Sequence, residues 1–111
     1  MPGFDTDAFT SESLSKSKDL AATLFKKYVT QAESDTSDFL QRSKDGVTRA
    51  GLLYAENKIE RDDFEDLILG KKDLAEMHAL KQAGLASATI DTFTNGVLQI
   101  VLDAAFTAVK F

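Results

Sequence analysis

His78 is the single histidine of the chain, and there is no cysteine. Any Ser-His-Asp arrangement would therefore depend on His78, while thiolate chemistry, disulfides and Cys-ligated metals are excluded. His78 stands in Glu76-Met77-His78, without the Glu-x-x-His spacing that places two metal ligands on one helical face. It reads as a structural or exposed helical residue. A second candidate is the acidic run Glu56, Glu60, Asp62, Asp63, Glu65 and Asp66. It does not follow the alternating Asp spacing and central Gly of a calcium loop. Carboxylates at a helix start also interact favourably with the helix dipole, and that reading explains them. Asp91 and Asp103 would be the groups to do acid–base work inside a bundle, but both fall on the polar strip of the last helix. Lys26-Lys27 and Lys71-Lys72 are isolated pairs, too sparse to track phosphates. Neither a P-loop nor a nucleophile elbow is present. No catalytic, cofactor-binding or metal-ligating residue is assigned, and the chain reads as a non-enzyme.

The elements that would hold these residues are helical. The pivot is the turn Asn57-Lys58-Ile59-Glu60 near the midpoint. Asn enters the left-handed conformation that ends helices more readily than most residues. Ile59 and Phe64 are spaced as a hydrophobic staple around a helix start at Glu60, with Asp63 at the capping-box position, and Asp62 with Glu65 is a competing start because Glu is not a preferred N-cap. Before the turn, Leu14, Ala21, Phe25, Val29, Ala32, Thr36, Leu40, Ser43, Val47, Ala50 and Tyr54 step at helical spacing. The weak stretch is Gln31 to Asp38, rich in residues that favour caps and turns. The first arm is therefore expected over about 11–56, continuous or broken once near Ser34–Ser37. Tyr28 and Tyr54 lie on its apolar row and read as packing residues.

The second arm, about 61–110, starts with Phe64, Leu67, Ile68, Leu74 and Met77. Breaks are expected at Gly70 or Gly84. From Ile90 to Phe111 the chain is at its most apolar, with Phe93, Val97, Ile100, Val101, Phe106 and Val109 covering most of a helical circumference. Such a helix is normally buried on several sides. It is a poor membrane span, because Asp91, Asn95, Gln99 and Asp103 interrupt it.

Two arms about one turn predict an all-α fold: an antiparallel helical hairpin, or a four-helix bundle if both arms break. Residues 1–10 read as a flexible or loosely docked tail whose Phe4 and Phe9 pack back onto the body or stay partly exposed, and 11–111 as one helical domain. Locally, Leu52-Leu53, Asn57-Lys58-Ile59, Asp63-Phe64 and Leu67-Ile68 are similar to the small helix-turn-helix segment of SHOCT-type domains. The likeness covers fewer than twenty of 111 residues and departs at the usual Gly and Thr. The same staple-and-cap physics yields it in any helical hairpin, so no family follows.

The net charge of -5 argues against a nucleic-acid surface. The N-terminal residues lack a secretory pattern, and cytoplasmic residence is the default expectation. One amphipathic arm covers only part of the last helix. That excess predicts a helical scaffold or interaction protein, self-associating or docking a protein partner through Phe93, Val97, Ile100, Val101, Phe106 and Val109. The alternative is a membrane-active protein that releases this helix onto a bilayer. Interfacial helices usually carry a basic polar face, which this one lacks.

Overall fold

The computed structural model describes all of residues 1–111. In chain order it contains β1 (Gly3–Phe4), α1 (Thr6–Leu24), α2 (Val29–Ala55), α3 (Arg61–Leu69), a 3₁₀ turn (Gly70–Leu74), α4 (His78–Gln82), α5 (Ser87–Ala108) and β2 (Val109–Lys110). α1 is antiparallel to α2, as Thr6 bonding Thr48 at one end and Lys18 facing Glu33 at the other require. It is antiparallel to α5 as well, from Asp5 N–H on the Ala108 carbonyl to Phe25 against Phe93. α3, the 3₁₀ turn and α4 run back along α2 as a fractured third rod. The result is a four-rod helical bundle with a two-residue antiparallel ladder, β1 on β2, at one end. A continuous 46-residue arm would be about 69 Å long at 1.5 Å per residue. The molecule measures 45 × 21 × 19 Å, so the arms are folded over.

Two of the chain reversals are local capping motifs. Asn57 has φ 60°. Its N–H reaches the Tyr54 carbonyl at 3.0 Å while Lys58 N–H reaches that of Leu53 at 2.9 Å. This is the Schellman pattern. Gly84, at φ +87°, repeats it with bonds from Gly84 to Lys81 and from Leu85 to Leu80. After the first reversal, Glu60 N–H donates to the Asp63 carboxylate at 3.0 Å, the capping-box contact expected from sequence.

Three boundaries differ from the sequence reading. The first arm breaks at Phe25–Tyr28, not at Ser34–Ser37. Leu24-Phe25-Lys26-Lys27-Tyr28-Val29 has aromatic and β-branched residues of only moderate helix propensity. Phe25 leaves the helix in extended conformation and lodges its ring 5.2 Å from Phe93. Asp35 and Thr36 are instead buried inside α2. The Asp35 carboxylate is satisfied by the N–H groups of Ala79 and Leu80, both at 2.8 Å. A residue that disfavours helix locally is thus retained by a partner more than forty residues away.

The expected tail over residues 1–10 is the second correction. Asp5 caps α1 by accepting from Ala8 N–H at 3.0 Å, so the helix starts at Thr6 and not near residue 11 as expected from sequence. Phe9 is fully buried, with Phe4 packed 5.7 Å from it. Third, the second arm yields to β2 at Val109, opposite Phe4.

The core runs through all four rods, from Phe9, Phe39 and Val47 to Phe64, Leu80, Phe93 and Val101. The buried faces of α1 and α2 also carry Ser13, Ser17, Thr36 and Ser43, whose hydroxyls find no protein partner. Small side chains let helices approach closely, at the expense of those unpaired groups. Close approach is strictest at Gly51 in α2, where a Cβ would overlap the Phe4 ring. Gly51→Ala should gain about 1 kcal/mol of helix propensity. Overpacking typically costs about 1–3 kcal/mol, so a net loss of up to about 2 kcal/mol is expected. A lowered urea midpoint, with Phe4 and Val109 amides exchanging faster, is the predicted outcome. A raised midpoint would mean the ring moves aside freely.

Candidate interaction site

The six residues assigned from sequence to an interface separate in the structure. Phe93, Val97 and Val101 are fully buried in the chain's own core. Val109 is nearly so, held in the ladder against Phe4. Ile100 and Phe106 alone are half-buried. The premise of a leftover apolar helix therefore fails. Breaking the first arm at residues 25–28 lets α1, α2 and α3 all pack on α5, which one continuous arm would not do.

What reaches the surface is the C-terminal end of α5. Tyr54 of α2 stacks on Phe64 of α3 with centroids 4.9 Å apart and planes 15° from parallel. Phe106 stands edge-on to both, 5.1 Å from Phe64 and 6.1 Å from Tyr54. Phe111 closes the group 5.2 Å from Tyr54 and remains 69% exposed. The Arg61 guanidinium lies 4.2 Å from the Phe106 ring centroid. The turn residues predicted from sequence build this end. Asn57 reverses the chain, Ile59 packs half-buried on the core, and Phe64 is its fully buried floor. Phe111 went unread because its edge-on partner, Tyr54, lies 57 residues earlier in sequence.

Exposed charges of both signs flank the aromatic residues in sequence: Lys58, Arg61 and Lys110 with Glu56, Glu60 and Asp62. Lys58 and Glu56 pair at 3.8 Å, an exposed contact of little energetic weight. Asp62 and Asp63 fall in the first turn of α3, as the dipole reading of the acidic run anticipated. No three His, Asp or Glu side chains are gathered so as to hold a metal ion.

His78 is exposed on the opposite half of the bundle. Its Nε2 contacts the Glu76 carboxylate, which also accepts from Arg42 Nη1 at 3.1 Å. The His78 hydrogen bond first, and the Arg42 charge next, hold the Glu76 carboxyl below the usual glutamate range. The stabilisation from this contact is therefore present above the usual glutamate pKa. It is lost as pH falls through the lowered folded value. Asp91 and Asp103 are exposed on α5, on the strip where sequence placed them.

No protein-family model, no curated protein and no solved structure matches this chain. No helix is long and apolar enough to cross a membrane.

Proposed function

We propose that the protein is a non-enzymatic helical interaction module that associates with a second copy of itself through the aromatic end of the bundle. The observation that carries this reading is the Tyr54–Phe106–Phe111 group with Arg61 over its edge. Aromatic residues and arginine are the types enriched where protein interfaces concentrate their binding energy. A two-fold contact sets one patch against itself. The mixed rim suits that symmetry, because Lys58, Arg61 and Lys110 on one copy meet Glu56, Glu60 and Asp62 on the other. Compared with the sequence reading, the docking surface moves from the length of α5 to its last turns. Release of α5 onto a bilayer is the less economical alternative, since it would first have to extract Phe93, Val97 and Val101 from the core.

Sedimentation equilibrium over a hundredfold range of concentration tests the proposal. The expected result is a mass rising from 12.1 kDa towards twice that value. Phe111→Asp should weaken association by about tenfold or more, as truncating an interface anchor does. A mass of 12.1 kDa at every concentration would refute self-association.

A further inference from the structure

The stretch Ala75–Gly84 is held unlike any other part of the fold. Met77 adopts left-handed backbone at φ 54°, ψ 45°, a conformation that L-residues other than Asn and Asp seldom enter. Its side chain is nevertheless buried. α4, which follows, is only five residues long, too short to persist on its own. Within the stretch Met77 and Leu80 alone are buried. On the α5 side a gap of about 260 Å³ opens between Glu76, Met77 and Lys81 of the stretch and Ile90, Asp91 and Thr94.

Polar contacts to α2 do the holding. Asp35 reaches across to accept from Ala79 and Leu80 N–H, capping a helix that has no cap of its own. Arg42, itself braced by Asp38 at 3.2 Å, binds Glu76. Glu76 also contacts His78. Strained backbone persists only where its surroundings over-determine it, and here two carboxylates supply that constraint.

We infer that Ala75–Gly84 is a strap that opens locally while the rest of the bundle stays folded, with Asp35 and the Glu76–Arg42 pair as its two latches. Short helical length, stored strain and only two buried anchors, Met77 and Leu80, place it at the low end of local stability. Opening uncovers Met77 and Leu80 together with the part of α2 on which α4 packs. Access to that face is therefore controlled by the latches and not by global unfolding. This device is independent of the aromatic end, and its failure would leave the association proposal standing.

Hydrogen exchange with mass spectrometry on the full chain at neutral pH tests the strap. Residues 76–83 should exchange with about tenfold or more lower protection than residues 97–105 of α5. Glu76→Gln removes one ionised latch at the surface and should speed exchange in 76–83 alone by a few-fold. Asp35→Asn keeps the shape but removes the charged acceptor, with an expected acceleration there of about tenfold or more. The strap is overturned if 76–83 exchanges in step with α5 in the wild type. It is equally overturned if both substitutions speed the two segments by the same factor.

Discussion

Val101→Asp should abolish the folded state. Val101 is fully buried in α5, in the same core as Val97 and Phe93. No cationic residue is buried anywhere in the chain to pair with a carboxylate there. An unpaired buried charge costs several kcal/mol even after relaxation. Total stability for a domain of this size is only about 5–15 kcal/mol. Val101→Ala, which removes apolar volume alone, should cost about 2 kcal/mol. Circular dichroism with urea titration distinguishes them. The Asp variant should lose its cooperative transition, and the Ala variant should keep a shifted one. A cooperative transition of wild-type midpoint for Val101→Asp would mean that α5 does not lie where the structure puts it. The same substitution would have been the natural probe of association had α5 been an outward-facing helix. Burial within the chain makes it a folding probe, and Phe111→Asp takes over as the association probe.

Phe64→Ala is expected to have the next largest effect, a loss of about 3–5 kcal/mol. Phe64 is fully buried beneath Tyr54 and Phe106, so truncation leaves a cavity that two rings on different helices must collapse to fill. Each aromatic pair adds about 0.5–1.5 kcal/mol beyond area burial. A Phe64→Leu variant retains most of the volume and should lose far less. Near-ultraviolet dichroism gives a second readout, because Tyr54 loses its fixed stacking partner in the Ala variant. If both variants unfolded at the wild-type urea midpoint, the aromatic end would not be packed as described. The effect also bears on function, since Phe64 is the floor on which the proposed docking group rests.

Much of the architecture was legible residue by residue. The reversal at Asn57 and the break at Gly84 are local events, decided by which residue tolerates positive φ and by bonds spanning five positions. The capping contact from Asp63 to Glu60 spans three. The interaction site was legible only in part. Phe106 was named, but Tyr54 was read only as a packing residue of core or interface, and Arg61 only as the first residue of the second arm. Their convergence depends on three helices meeting at one end.

By itself, then, the sequence determined the all-α class, the two arms, the pivot between them and the identity of α5 as the helix needing most cover. Each of these follows from short-range propensity, capping and hydrophobic period. Tertiary structure alone decided where the first arm breaks, how firmly Phe4 and Phe9 are docked on the body, and that α5 is covered by its own chain. The physical reason is the same in all three. A local preference of under 1 kcal/mol per residue is overridden when a distant partner satisfies a buried group, as Ala79 and Leu80 do for Asp35. It is overridden again when a ring finds a cavity across the bundle, as Phe25 does against Phe93.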